Sequence, residues 1–296
     1  MKILITNDLH QKISKWTDLV KVIFKDEPRF VLIAGDILPK AEYAAQKQFF
    51  PTLRGYLRII QQNTQATVLT YFGNDDCHIL EPELDKLEAD GLCVNLNGRV
   101  HREEGLVFCG MNKCRDYPFG YKHWCAPDGD YLACPVQFGQ ALTFDVHGDR
   151  LPIENLEQYL AAKTSIGQEL EQLKHQLADG EMRRSIWMIH QPPANLEMDI
   201  CLNCERVGSP AVHQFAVDNQ PLLGCSGHIH ESPHMRGGRW IAKVANTTWL
   251  QPGQYFDALH YVTLEITGDF QVANASHSVF DTTEPQAGGF CELPNY

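Results

Sequence analysis

Five short apolar segments of this sequence each lead directly into residues that can bind a metal ion. Each segment has five or six residues and is rich in aliphatic or aromatic side chains. Runs of this kind predict buried β-strands. Because ligands of open α/β sheets gather beyond the carboxyl ends of the strands, we expect the side chains after these segments to converge. The segments begin at Lys2, Phe30, Thr67, Ser185 and Pro221.

The residues after the segments carry carboxylate, amide and imidazole groups, in the order Asp-x-His, Gly-Asp, Gly-Asn-Asp-Asp, His and Gly-His-x-His. Such oxygen and nitrogen donors suit Mn, Fe, Zn or Co. Two of these cations about 3.5–4 Å apart can hold a phosphate and activate a shared water. One carboxylate has to bridge them, and Asp36 is the candidate because it stands alone at the end of its strand. The candidate ligands are Asp8, His10, Asp36, Asn74, His190, His228 and His230.

The candidate ligands span residues 8–230, so a division into two independent domains would cut the site. We therefore predict one domain over residues 1–280 and a C-terminal tail at 281–296. An irregular insertion at about 112–140 lacks a hydrophobic period, which is typical of a binding loop or lid.

Strand and helix patterns alternate in the first third of the chain, which favours a mainly parallel sheet. Hydrophobic spacing predicts helices over 13–24, 41–62 and 81–89, and one long helix over 156–177. Alternating residues predict antiparallel strands over 261–266 and 270–273.

The formal net charge of −12 argues against broad binding to a nucleic-acid backbone, which needs a basic surface. No segment approaches the roughly 20 apolar residues that span a bilayer, and the start of the chain does not fit a signal peptide. We expect a cytoplasmic protein whose ten cysteines are reduced. We expect the protein to bind a small phosphorylated substrate, for which a nucleotide is one candidate. We do not expect it to bind a membrane or nucleic acid.

The order of the ligand motifs resembles the calcineurin-like metallophosphoesterase superfamily over residues 1 to about 250. The resemblance implies a four-layer α/β/β/α sandwich of two mixed β-sheets flanked by helices. It also implies that Asp8, His10 and His230 bind one metal ion, that Asn74, His190 and His228 bind the other, and that Asp36 bridges them. A narrower likeness to small prokaryotic phosphoesterases of unassigned substrate rests on His190-Gln-Pro-Pro193, Asp199, Gly208-Ser209, Ala211-Val212 and the segment from Gly227 to Ser232.

One position departs from the superfamily pattern. The superfamily commonly has Gly-Asn-His followed by Asp or Glu, and that His is thought to donate a proton to the leaving group or to bind phosphate. Here the position is Asp75, followed by Asp76. Two adjacent carboxylates near cations can share a proton, which would make Asp75 a catalytic acid. Alternatively, Asp75 only orients Asn74 or a water.

We expect a dinuclear metal-dependent phosphoester hydrolase that favours diesters over monoesters. In this hypothesis a hydroxide that bridges the metals attacks phosphorus in line, and the catalytic residues are Asp36, Asn74 and Asp75. Two alternatives stay open. A scaffold of the same fold is one, since the retromer subunit of this superfamily acts in that way, and a nuclease is the other.

Several residues outside the ligand set have two interpretations. Cysteines cluster at 109–134, and Cys201 and Cys204 form a Cys-x-x-Cys pair, but neither spacing matches a structural zinc site. Aromatic residues of the insertion can stack on a base, although loop aromatics more often pack beneath their own loop. The residues in question are Tyr117, Phe119 and Trp124, and the candidate phosphate contacts are Arg54, Lys113, Arg115 and Lys122.

Overall fold

The computed structural model describes residues 1–10, 12–40, 42–129 and 136–286. The strands are β1 Lys2–Thr6, β2 Phe30–Ile33, β3 Thr67–Thr70, β4 Val94–Asn95, β5 Arg99–Glu103, β6 Leu106–Met111, β7 Leu142–Phe144, β8 Arg150–Pro152, β9 Ser185–Ile189, β10 Leu223–Cys225, β11 Ile241–Val244, β12 Thr247–Leu250, β13 Val262–Ile266 and β14 Val272–His277. The α-helices are α1 Ile13–Asp26, α2 Tyr43–Asn63, α3 Glu81–Ala89, α4 Leu156–Ala161, α5 Ile166–Lys174 and α6 Pro210–Asn219.

The first sheet has the strand order β14-β13-β1-β2-β3-β4. Strands β1 to β4 run parallel, as the alternation of strands and helices predicts, and β13 joins β1 in the antiparallel direction. Helices α1, α2 and α3 cover the outer face of this sheet. Their apolar side chains, such as Trp16, Leu57 and Leu84, are fully buried against Leu4 and Val31.

The second sheet has the strand order β11-β12-β10-β9-β6-β5. Strands β6, β9, β10 and β12 run parallel, while β5 and β11 are antiparallel edge strands. Helices α5 and α6 cover its outer face, where Leu170 and Phe215 pack with Trp187 and Trp249.

The inner faces of the two sheets form a third apolar layer. Ile3 and Leu32 of the first sheet share this layer with Phe108, Ile186 and Leu223 of the second. The expected four-layer sandwich is therefore confirmed, and the carboxyl ends of β1, β2, β3, β9 and β10 meet at one edge of it.

The long helix predicted over 156–177 is wrong, because the chain forms two helices there. Ser165 begins α5 with a capping box: its hydroxyl accepts from the Gln168 N–H, and the Gln168 side chain accepts from the Ser165 N–H. Leu160 of α4 packs with the irregular segment, whereas Leu170 of α5 packs on the second sheet. The two halves of the apolar pattern thus face different neighbours.

The predicted insertion at 112–140 lies partly outside the described residues, at 130–135. Residues 112–129 contain no helix or strand, yet polar contacts hold them in place. Lys122 and Asp116 form a buried ion pair with 2.9 Å between Nζ and Oδ1. Cys114 N–H donates to the Trp124 carbonyl at 3.1 Å.

The predicted C-terminal tail lies outside the described residues from 287 onward. Its first part is bound to the rest of the chain: Trp240 Nε1–H donates to the Thr282 carbonyl, and Gln286 exchanges two backbone hydrogen bonds with Gly237 and Gly238. No helix in the described ranges is long and apolar enough to cross a bilayer.

The expectation of reduced cysteines holds for seven described thiols: Cys77, Cys93, Cys109, Cys114, Cys125, Cys201 and Cys225. It is wrong for Cys204, which is disulfide-bonded. Sequence spacing gives no signal for this bond, because a disulfide depends on which cysteines the fold brings together.

His277, at the end of β14, is held as a neutral side chain. Its Nδ1 accepts from the N–H groups of Val279 and Phe280, at 3.0 and 3.3 Å, and its Nε2–H donates to the Pro252 carbonyl at 2.8 Å. Burial lowers the pKa of His277 to about 4. A proton on Nδ1 would also displace both backbone donors.

We predict that His277 makes the protein sensitive to acid. The His277 side chain takes up a proton near pH 6.5 in the unfolded chain and near pH 4 in the folded chain. The stability that neutral His277 contributes is therefore present above pH 6.5. It is lost, by up to about 3 kcal/mol, as the pH falls to 4. Urea unfolding across this range should show a shallower pH dependence for His277→Gln than for wild type. His147→Gln, at an exposed turn, is the control. Equal slopes for wild type and His277→Gln would contradict the prediction.

Candidate metal centre

Four of the seven candidate ligands form one group of donor atoms. Asp8, His10, Asp36 and His230 each place a ligand atom within 4.8 Å of the others. His230 Nε2 lies 3.4 Å from Asp8 Oδ1 and 3.4 Å from His10 Nε2. Donor atoms with this spacing fit ligands of a single ion.

The other three candidate ligands form a second group beside the first. Asn74 Oδ1 lies 2.9 Å from His190 Nε2 and 2.6 Å from His228 Nδ1. Asp36 Oδ2 lies 3.5 Å from His190 Nε2, so this carboxylate contacts both groups. Asp36 therefore occupies the position that a bridging ligand needs, and the structure brings all seven predicted residues together.

The charges of the site also fit bound cations. Asp8 and Asp36 are each 1% exposed, and within the described part of the chain no Lys or Arg forms an ion pair with either; their only such contacts are with His190 and His230. Two buried carboxylates whose ion-pair partners in this part of the chain are histidines alone would be costly to desolvate. Metal ions held by these donors would remove that cost.

The protonation of the histidines reflects the same excess of negative charge. Burial alone would lower the pKa of His190, but the Asp36 and Asp8 carboxylates raise it to about 9. Burial, together with the nearby His190, lowers the pKa of His228 to about 3. A metal ion can take the place of the proton on His190, because a ligating imidazole must be neutral.

Four of the candidate ligands have left-handed backbone conformations. Asp8, His10, Asp36 and His228 have φ values of 48°, 47°, 51° and 71°. Such conformations cost on the order of 1–3 kcal/mol each and persist where surrounding contacts impose them. Here Asp8 N–H donates to Gly35 O at 3.0 Å, and His10 N–H donates to Asp36 O at 2.8 Å. These bonds fix the loop after β1 to the loop after β2.

Gly73 and Gly227 allow the ligand loops to approach one another closely. A Cβ atom on Gly73 would overlap the Asp36 carboxylate. A Cβ atom on Gly227 would lie 2.7 Å from Ala34 O and 2.8 Å from Asp8 Oδ2. These glycines serve the contact between ligands as well as the turns that the sequence predicts.

Asp76 is a structural residue that sequence reasoning missed. It is fully buried, and its carboxylate accepts from the N–H groups of Ile37, Leu38 and Gly73 at 3.1, 2.8 and 2.9 Å. Asp76 thereby joins the loop that carries Asp36 to the loop that carries Asn74. The sequence has no signal that separates this inward carboxylate from its neighbour Asp75.

Asp75 points toward the opening of the site, where its side chain is 31% exposed. Its Oδ1 accepts from Asn74 Nδ2 at 2.9 Å, and its Oδ2 lies 3.5 Å from Lys40 Nζ. Burial and the nearby Asp36 raise the pKa of Asp75 to about 6. The first contact turns the Asn74 amide oxygen toward the histidines, as the orienting alternative requires, while a catalytic role for Asp75 stays a prediction.

Of the remaining candidate residues, some are packed in the interior and others lie at the surface. Trp124 is buried and donates to the Asp76 carbonyl at 2.7 Å, so it packs beneath its own segment. Lys122 is buried with Asp116, and Arg54 pairs with Asp90 on the surface. Lys40, whose Nζ lies 3.5 Å from Asp75 Oδ2, is a further cation near the site that the sequence pattern does not reveal.

Comparison with known proteins agrees with this geometry. The family model of the calcineurin-like phosphoesterases matches residues 1–232. The chain belongs to this family. A calcineurin-like phosphoesterase is a metal-dependent enzyme, and the family implies a dinuclear metal centre, for which the two donor groups of this chain are suited. No curated protein matches the sequence significantly.

Solved structures of similar proteins share the fold. A protein of Thermus thermophilus is 13% identical, with a TM-score of 0.57 over 94% of this chain and 97% of the other. A dimetal phosphatase from Danio rerio is 14% identical, with a TM-score of 0.55 over 90% of this chain and 93% of the other. At these identities the likeness concerns the fold alone.

We predict that Gly73→Ala reduces metal binding by this phosphoesterase. The added methyl group must displace Asp36, which contacts both donor groups. Metal analysis after dialysis should find clearly fewer ions per chain than in wild type. Gly55→Ala is the matched control, because a Cβ at this position of α2 would meet no atom within 4 Å beyond its chain neighbours and the backbone of its own helix; it should keep its metal and gain about 0.5–1 kcal/mol of stability. Full metal content in Gly73→Ala would contradict the prediction.

Proposed function

We propose that this phosphoesterase hydrolyses small phosphodiesters, and that nucleotide diesters are among them. The observation that carries the proposal is the pair of donor groups that share Asp36. When bound, two cations such as Mn, Fe, Zn or Co would supply Lewis acidity and would lower the pKa of a bound water. The protein residues hold the ions and orient the substrate.

The residues of the site have separate tasks in this proposal. Asp36, which contacts both donor groups, would be a ligand of both ions. Asn74, oriented by its hydrogen bond to Asp75, presents its amide oxygen to His190 and His228 of the second donor group. Lys40, whose side chain is 55% exposed at the opening, attracts the anionic substrate.

Asp75 favours a diester over a monoester on electrostatic grounds. Its carboxylate stands beside Asn74 at the opening, where a phosphate would enter. A monoester carries close to two negative charges at neutral pH and a diester carries one, so the repulsion by Asp75 is greater for the monoester. The residue that follows Asn74 is Asp75 and not a histidine, so this position has no imidazole to protonate a leaving group. The site therefore favours substrates whose leaving group needs little assistance.

An aromatic surface beside the second donor group supports a nucleotide substrate. The Tyr117 ring lies 5.7 Å from the His228 ring, and Phe119 follows at 6.3 Å from Tyr117. Phe119 and Phe138 contact each other edge to face at 5.8 Å and are 62% and 69% exposed. Exposed aromatic rings of this kind can stack on a base.

The two alternatives receive less support. A scaffold has no need of seven intact ligands around buried carboxylates, all of which this chain has. A nuclease needs a basic groove for the phosphate backbone, whereas the formal net charge here is −12. DNA binding with a steep salt dependence would favour the nuclease.

Asp36→Ala and Asn74→Ala are expected to lower kcat/KM for bis(p-nitrophenyl) phosphate by about 100-fold or more, since each removes a ligand or substrate contact at the reacting centre. Asp18→Ala and Asn63→Ala, on helices α1 and α2, are the chemically matched controls and should retain activity. Wild type should also prefer this diester to p-nitrophenyl phosphate. Unchanged turnover in the Asn74 variant would reject the proposal, and a preference for the monoester would reject its diester part.

Phe119→Ala should raise KM for a nucleotide diester by about 5-fold or more, because stacking on a base contributes roughly 1–3 kcal/mol. KM for bis(p-nitrophenyl) phosphate should change much less, since that diester lacks a nucleobase. Phe24→Ala removes a ring that is 44% exposed on α1 and serves as the control. Equal effects of Phe119→Ala on both substrates would remove the case for base stacking.

A further inference from the structure

One cysteine of the irregular segment lies against the second donor group. Cys114 is fully buried, and its thiol is free. Its sulfur and one ring nitrogen each of His190 and His228 lie within 4.8 Å of one another. These histidines are the two that contact the Asn74 amide oxygen. The Cys114 sulfur and the Asn74 amide oxygen therefore lie near the same two imidazoles.

Backbone hydrogen bonds fix the position of this cysteine. Cys114 N–H donates to Trp124 O at 3.1 Å, and Ala126 N–H donates to Cys114 O at 2.9 Å. The next residue, Arg115, donates its N–H to Gln191 Oε1 at 3.0 Å. Because Gln191 follows His190 directly, the segment that carries the thiol is attached to the loop that carries a predicted ligand.

The thiol itself makes only a weak polar contact. Among the described residues its one hydrogen bond runs to Asn112 O at 3.8 Å, close to the longest distance at which sulfur donates. No strong hydrogen bond would have to be broken for the sulfur to bind a metal ion.

We propose that Cys114 binds the second metal ion as a thiolate, together with Asn74, His190 and His228. On binding, the S–H bond releases its proton to solvent and the sulfur forms a bond to the metal. Thiolate ligands favour zinc, whereas oxygen-rich sites accept manganese or magnesium, so Cys114 biases the second position toward zinc. This inference rests on the metal binding in the proposed function, and not on the hydrolysis of any substrate.

Cobalt substitution tests this directly, because a thiolate bound to Co(II) gives a charge-transfer absorption in the near ultraviolet. We expect this band in wild-type protein loaded with two equivalents of Co(II), and its loss in Cys114→Ser. Cys125→Ser is the matched control, since Cys125 is also buried and free and pairs with Cys114 in an isolated backbone bridge. The control should keep the band. Cys114→Ser should also lose about 10-fold or more in the ratio of zinc to manganese affinity.

The outcomes separate this inference from the proposed function. Wild type that takes up two cobalt ions without the band, or Cys114→Ser that keeps it, overturns the role of Cys114 and leaves the two-metal site intact. Wild type that takes up no cobalt overturns both.

A measurement on wild type alone covers the case in which the variant does not fold. X-ray absorption at the zinc edge of the zinc-loaded protein should show a sulfur neighbour at about 2.3 Å, the usual zinc–sulfur distance. A shell that contains only nitrogen and oxygen would overturn the proposal.

Discussion

The site depends on one constraint. Asp8 and Asp36 are buried, and among the described residues neither carboxylate has a Lys or Arg partner. Both carboxylates are 1% exposed, and their ion-pair contacts are with histidines only. A buried negative charge needs a positive one nearby, so the pair is tolerable when cations or protons occupy the same space. The fold supplies this space by joining the carboxyl ends of strands from two different sheets.

The convergence of all seven candidate ligands could be predicted because each follows a buried strand by at most about five residues, and parallel strands end at a common edge. Asp75 and Asp76 could not be distinguished in the same way. Adjacent residues of a loop have no fixed alternation, and the inward position of Asp76 depends on backbone N–H groups at positions 37 and 38, in another loop. Lys40 could not be predicted for a related reason, because only the fold brings it close to Asp75.

The irregular segment sets a second limit on what the sequence reveals. Cys114 lies in a segment without a hydrophobic period and has no candidate metal ligand close to it in sequence. Its spacing from the other cysteines therefore does not predict metal binding. Its place beside His190 and His228 comes from hydrogen bonds to Trp124 and, through the next residue, to Gln191. By contrast, the break between α4 and α5 has a local signal in the sequence. Ser165 and Gln168 form a capping box, but the hydrophobic periodicity continues across this position and predicts a single helix.

The hydrogen bond from His190 Nδ1 to Ala34 O connects the two sheets at the same edge as the ligands. Each donor group likewise includes residues from both halves of the sandwich. Ions held there act as a clamp across the interface between the halves, and a ligand present at 100 times its dissociation constant stabilises a fold by about 2.7 kcal/mol. The supply of these metals would therefore affect how much of this polypeptide survives proteolysis, in addition to its rate of catalysis.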